Sequence, residues 1–233
     1  MLKKSTLEKI ISEDLSEIWS ILSQKEKKII TDNFEVQNFR KNQIIYQEGD
    51  EPECLWILLK GKVKLYKDGA CGRQQILRLY RPIQYFGYRA YFASESYLST
   101  AVAFETSVIG SIKMDVVSSL IDGNMKLAWF FIKELSRDLG GSDTKIVNLT
   151  QKHLRGRLAE SIIMLIENYG FEEDGETLQI YMSRDDIASL SNMTTSNAIR
   201  TLSNFVSERL ITVDGRRIKI INQAQLLKIS KFG

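Results

Sequence analysis

The sequence predicts an α+β chain: N-terminal helices and a jelly-roll-like double-stranded β-helix, one long helix, then a winged helix-turn-helix. Three observations predict it. Residues 34–113 alternate short β-rich runs with turn glycines, residues 125–149 repeat apolar side chains at spacings of three and four, and residues 183–221 hold two short helical patterns followed by a basic hairpin pattern. The expected domains are 1–123, 124–150 and 151–233. A chain of 233 residues suits two domains of ordinary size, each able to bury its own core.

The first block, Lys3 to about Asn33, is expected to be helical and polar, with Ile10, Ile11, Leu15, Ile18, Trp19 and Leu22 as its apolar stripe. The texture changes at Phe34. Candidate strands are Gln43–Gln47, Leu55–Leu59, Lys62–Tyr66, Gln75–Tyr80, Thr100–Phe104 and Ser107–Ile112, punctuated by Gly49-Asp50, Gly61, Asp68-Gly69 and Gly87. Regular short strands between turn signals suggest an all-β roll or barrel.

Beyond Met114 the pattern turns helical. Met125, Ala128, Ile132, Leu135, Leu139, Ser142, Ile146 and Leu149 form a coiled-coil seam more than three heptads long, interrupted only by Ser142. A helix buried inside one domain has the same period, but about 25 residues span close to 40 Å. That length favours a parallel homodimer along the seam. Gly140-Gly141 sits within it and serves either as a joint or as a point of close approach. A further amphipathic helix over Gln151–Tyr169 precedes the acidic loop Glu172-Glu173-Asp174-Gly175-Glu176 and a strand Leu178–Tyr181.

The last block carries the function. Ser183-Arg184-Asp185-Asp186 is a capping box, a hydroxyl at a helix start with an acid three residues on. Ile187 and Leu190 give barely two turns, and Asn192 tolerates the left-handed conformation of a tight interhelical turn. Thr194 or Thr195 caps a second helix with Ala198, Leu202, Phe205 and Val206 as its inward stripe. A hairpin follows: Ile211-Thr212-Val213, the turn Asp214-Gly215, and Arg216-Arg217-Ile218-Lys219-Ile220. Such a shape sets its second helix in a DNA major groove. From Thr195 onward seven cations meet two anions, a net +5 against +3 for the whole chain. Phosphate binding needs such a local excess, although a merely solvated face has the same look.

Composition removes several alternatives. Apolar content of 43% with 26% charged residues is that of a globular chain, and no apolar run approaches the roughly 20 residues of a membrane span. The start Met1-Leu2-Lys3-Lys4 has no signal-peptide core, so a cytoplasmic protein is expected. Two cysteines, Cys54 and Cys71, are too few for a disulfide framework. An enzyme on a cupin-like roll wants several histidines and a carboxylate for its metal, and the single His153 lies outside the roll. No catalytic residue, metal or cofactor is expected.

The order of roll, long helix and winged helix-turn-helix resembles the catabolite-activator and fumarate–nitrate-reduction (Crp/Fnr) family of bacterial transcription regulators. Gly49-Asp50 and Gly61 lie twelve residues apart and Phe86-Gly87 follows 26 residues after Gly61, as the family's turn glycines do. Ser183-Arg184-Asp185-Asp186-Ile187-Ala188 is similar to the family's [ST]-R-x-[DE]-[IL]-[AG] helix start, and Arg200-Thr201-Leu202 to the R-x-L that closes its recognition helix. The resemblance implies a cyclic-nucleotide-binding-like roll, a dimerisation helix and a DNA-binding domain. It implies as partners duplex DNA, a second copy of the chain and RNA polymerase, with no membrane. The expected DNA-binding residues are Ser183, Arg184, Thr194, Thr195, Ser196, Asn197, Arg200, Arg216, Arg217 and Lys219.

The departures narrow the chemistry. Where cAMP-binding members carry a glutamate and an arginine, this chain has Tyr88 and Leu98, in the candidate effector segment Gly87, Tyr88, Arg89, Ala90, Leu98, Ser99 and Thr100. A buried phosphate there loses a charge-assisted bond of about 1.5–3 kcal/mol. Arg89 is a poor substitute if that stretch is a strand, since adjacent strand residues face opposite ways. The first fifty residues hold no cysteine for an iron–sulfur cluster. The roll therefore senses an unidentified small molecule, a thiol state at Cys54 and Cys71, or nothing. In the recognition helix, Thr195 and Ser196 replace longer readers, so the family's usual half-site does not carry over.

Overall fold

A computed structural model describes residues 16–69 and 72–232. The chain divides into two compact units, one formed by residues up to 67 together with 78–140, the other by 68–77 together with 141 onward. Ile10, Ile11, Leu15 and Cys71 lie outside the described residues.

Among the described residues the expected N-terminal helical block holds two helices, α1 (Ser16–Ile21) and α2 (Gln24–Asn33). Ser23 separates them because it caps α2 with a full capping box to Glu26, and that local bonding outcompetes continuation of α1. Ile18, Leu22 and Ile30 are buried.

The roll is two antiparallel sheets. One has the order β1 (Glu35–Phe39), β8 (Ser107–Lys113), β3 (Cys54–Lys60), β6 (Tyr85–Phe86). The other has β2 (Ile44–Tyr46), β7 (Thr100–Ala103), β4 (Val63–Asp68), β5 (Gln74–Tyr80). Strand β3 reads Cys-Leu-Trp-Ile-Leu-Leu because both its faces are covered. Leu55 and Ile57 join a cluster with α1, α2, α4 (Met114–Gly123) and the start of α5 (Met125–Gln151). Leu58, with Trp56 packed beside it, faces the roll interior among Phe39, Tyr46, Phe86 and Tyr97. Strands β1 and β6 are absent from the sequence expectation. Strand β1 (Glu-Val-Gln-Asn-Phe) lacks an apolar alternation and is held by its five-residue register with β8.

The Gly87–Ala90 stretch is not a strand. Gly87, at φ +89°, starts the short helix α3 (Tyr88–Phe92). A Cβ at Gly87 would lie 2.6 Å from Trp56 Cδ1, so both backbone and packing require glycine.

Helix α5 runs unbroken through Gly140-Gly141. In the second unit, α6 (Leu154–Tyr169) buries Leu158, Ile162, Leu165 and Ile166. It packs with α9 (Gln223–Phe232), α8 (Thr195–Ser207) and α7 (Arg184–Leu190). The hairpin β9 (Ile211–Asp214) and β10 (Arg217–Ile220) forms, but its two-residue turn is Gly215-Arg216 rather than Asp214-Gly215, so Asp214 pairs with Arg217 and Val213 with Ile218. The expected strand Leu178–Tyr181 is reduced to isolated bridges, Phe171 to Leu178 and Thr177 to Lys219.

Candidate nucleic-acid interface

The helix-turn-helix is built by its caps. The Ser183 hydroxyl accepts from Asp186 N at 3.0 Å and donates to Asp186 Oδ2 at 2.7 Å, fixing the start of α7. Asn192 takes the left-handed conformation, φ 49°, in the turn. Thr194 then caps α8, its Oγ1 accepting from Asn197 N at 3.3 Å. The far end of α8 is held by Arg155 of α6. Its guanidinium forms a two-pronged pair with Glu208 and lies 4.9 Å over the Phe205 ring. Arg155 in turn holds the Glu208 carboxyl below its usual range. Residues 68–77 also belong to this unit. There Ser189 Oγ donates to Gln74 O at 2.7 Å, and Arg73 donates to Asn192 Oδ1 at 3.1 Å.

Anchored at both ends, α8 buries Ala198, Thr201, Leu202 and Phe205. Val206, expected inward, is 39% exposed, because Thr201 takes the place on the buried face. Arg200 does not close the helix, which continues to Ser207. The outward face presents Ser196, Ile199, Arg200 and Ser203 at spacings of three, four and seven, one stripe of a helix. Arg200 makes no ion pair among the described residues. Thr195 is less free than expected, since its hydroxyl donates to Asp185 Oδ1 at 2.7 Å. Ile199, 46% exposed, is the residue that sequence reasoning missed. The available signal was an apolar residue lying beside, not on, the inward stripe.

The wing carries Arg216 exposed at its turn, while Lys219 and Arg217 also meet the acidic loop. Lys219 Nζ lies 2.6 Å from Glu176 Oε2, and Arg217 lies 3.9 Å from Glu172 Oε2 and 5.4 Å over the Tyr181 ring. The acidic loop reaches the wing through backbone bonds, Leu178 N to Ile218 O and Ile220 N to Glu176 O, each 2.9 Å. Within the loop Asp174 accepts from the Thr177 hydroxyl and from the amides of Thr177 and Glu176, which hold its carboxyl near pKa 2. The sequence showed the acids and the cations, not their pairing.

The candidate effector residues do not converge as expected. Tyr88 turns into the core, its ring 5.2 Å from Phe131 of α5. Arg89 pairs with Glu95 at 3.1 Å. Thr100 is buried and accepts from Glu48 N at 3.1 Å, and the Leu98 carbonyl accepts from Lys67 Nζ at 2.9 Å while Leu98 itself is 52% exposed. Ala90 faces the roll interior, where Tyr46 stacks on Tyr97 with centroids 3.7 Å apart. Burial pushes the Tyr97 phenol up to about 12. Burial also raises the Cys54 thiol, which reduces its thiolate fraction at neutral pH. His153 is exposed at the N-cap of α6, a surface position. Among the described residues no group of three or more His, Cys, Asp or Glu could hold a metal ion, and no helix is long and apolar enough to cross a membrane.

Along α5, Met125, Ile132, Leu139 and Ile146 are 71, 47, 64 and 60% exposed, whereas Leu127, Phe130 and Phe131 are buried against the roll. Ala128, Leu135, Ser142 and Leu149 are half-buried. Trp129 and Val147 add to the exposed apolar surface.

Residues 36–124 match the family described as a cyclic nucleotide-binding domain, and residues 156–229 the family described as a Crp-like helix-turn-helix domain. The chain is 27% identical to the anaerobic regulatory protein of Aggregatibacter actinomycetemcomitans, over 82% of this chain and 74% of that one. It is 22% identical to a CRP-like cAMP-activated global transcriptional regulator of Mycobacterium tuberculosis, over 85% and 89% of the two chains. Two solved structures share the fold. FixK2 from Bradyrhizobium japonicum has a TM-score of 0.76 at 21% identity, covering 84% of this chain and 96% of its own. A crp/fnr-family transcriptional regulator from Eubacterium rectale has a TM-score of 0.77 at 18% identity, covering 92% and 97%.

Proposed function

Because the chain belongs to the Crp/Fnr family of DNA-binding transcription regulators, we propose that it acts as a cytoplasmic homodimer on a near-palindromic site, without any catalytic step. Each α8 enters a major groove, the two half-sites lie about 34 Å apart, and the bound dimer contacts RNA polymerase. The observation that carries this reading is the outward stripe of α8, where Arg200 stands exposed on a helix fixed at both ends. Arginine in that position holds guanine O6 and N7 with two hydrogen bonds. Arg184, Arg216 and Arg217 hold phosphates and set the register.

The exposed seam of α5 supports the second copy. Four large apolar side chains at heptad positions are more than 45% exposed on one helix, a surface that a partner helix covers. The seam runs along α5, so a parallel pairing presents two identical reading helices.

Cyclic nucleotide is not the effector in this reading. Arg89, within the candidate segment, and Lys67, bonded to its Leu98 carbonyl, are already paired with Glu95 and Glu48. Any effector must bind the DNA-competent and incompetent conformations unequally.

The test is selection of bound duplexes from a random pool, followed by Arg200→Ala. The variant should lose about 1–3 kcal/mol on the selected site and relax specificity at one base pair, with little change on random DNA. Equal losses on both would contradict the reading.

A further inference from the structure

We infer that Ile199 reads the C5-methyl group of a thymine in each half-site, beside the base pair that Arg200 addresses. The inference rests on α8 being the reading helix and goes beyond it by naming a base and the group recognised.

A single exposed apolar side chain on a protein surface is ordinary. Ile199 differs in where it stands. It occupies the middle of the outward stripe of α8, between Ser196 and Ser203 and next to Arg200, and is 46% exposed while Ala198 and Leu202 beside it are buried. Its neighbours on that stripe are two short hydroxyls and one long cation, so its side chain is the apolar projection of the face. A β-branched residue is a poor choice for an exposed helical position on propensity grounds. At 46% exposure it stays open to solvent among the described residues.

The remaining polar readers near the start of α8 are short or committed. Thr195 donates to Asp185, and Thr194 caps the helix. Sequence information at this end of the helix must therefore come from Arg200, from Ser196 and Asn197, and from apolar contact. In the major groove thymine alone among the bases presents a methyl group, next to its O4 acceptor. An isoleucine pressed on that methyl removes apolar surface of both from water. Cytosine at the same place offers an amino donor that isoleucine cannot satisfy.

Uracil tests this cleanly, since it keeps every hydrogen-bonding group of thymine and lacks only the methyl. Each thymine of the selected duplex is replaced singly by deoxyuridine and binding is measured for the wild type, Ile199→Ala and Ile199→Val. The wild type should lose about fourfold at one position per half-site, the equivalent of about 0.8 kcal/mol for one buried methyl group. Ile199→Ala should bind the thymine and uracil duplexes equally, and Ile199→Val should keep most of the discrimination. Thermal melting of the three proteins should coincide, since the side chain is not part of the core. A wild type indifferent to uracil at every position overturns the inference, as does an Ile199→Ala protein that retains the full uracil penalty. Failure of the DNA-reading function itself is distinguishable, because the wild type would then select no sequence before any uracil was introduced, and the inference would fall with it.

Discussion

Ser183 and Thr194 perform the same task at the two helix starts of the reading motif, but Ser183 is the more fully used. Its hydroxyl both accepts from the Asp186 amide and donates to the Asp186 carboxylate, and its own amide lies 3.4 Å from that carboxylate. Helix α7 has only seven residues, so it has few internal hydrogen bonds to fall back on. Ser183→Ala should cost about 1 kcal/mol of stability, read as a lower urea midpoint at unchanged slope. Because the hydroxyl proton already goes to Asp186, the folded variant should bind the selected duplex almost as well as the wild type. A stability equal to wild type with weakened DNA binding would instead place this hydroxyl on a phosphate.

The wing and the acidic loop form one element in practice, though 43 positions separate Glu176 from Lys219 in sequence. Backbone bonds to β10 hold the loop in place, and Asp174 folds it locally through three hydrogen bonds. The consequence is that Glu176 sits against Lys219, a cation that DNA phosphates would otherwise claim. An exposed pair of this kind is weak, worth roughly 0.2–1 kcal/mol. Glu176→Gln should nonetheless release Lys219. Affinity for any duplex should then rise by about two- to fivefold at low salt, and the slope of log K against log salt should steepen by roughly one. An unchanged slope would mean that Lys219 stays off the phosphates and that the pair serves the loop alone. The capping box, the αL turn at Asn192 and the hairpin were legible in the sequence because each is fixed by residues within four positions of one another. The acid–cation pairing was not, since it depends on the loop returning to β10.

For the molecule as a whole, the proposed association runs along the exposed seam of α5. Leu139 is 64% exposed and Ile146 60%, so neither belongs to the core of a single chain. Leu139→Lys should leave the subunit folded and shift sedimentation from dimer to monomer. Affinity for the full palindrome should fall by about two orders of magnitude, the gain that linking two half-site contacts ordinarily supplies. A variant that remains dimeric would move the interface elsewhere. The heptad period gave this surface its residues, but the same period is shared by a helix buried in one domain. Only the packing separates the faces: Leu127, Phe130 and Phe131 go to the roll, with Tyr85 and Tyr88 meeting Phe130 and Phe131 edge-on or tilted at 5.3 and 5.2 Å.

By itself the sequence determined the order of elements, the glycine-punctuated roll and the reading motif. These follow from short-range signals: caps three residues apart, periods of two and 3.6, and residue types at fixed spacings. Tertiary structure alone decided which way ambiguous side chains face. It turned Tyr88 into the core on a helix that sequence spacing had suggested as a strand, and it exchanged Val206 for Thr201 on the buried face of α8. It also left Ile199 pointing outward beside Arg200. The reason is geometric: adjacent helical residues differ by about 100° around the axis, so the position of the neighbouring elements, absent from any local pattern, settles which of two candidates is covered.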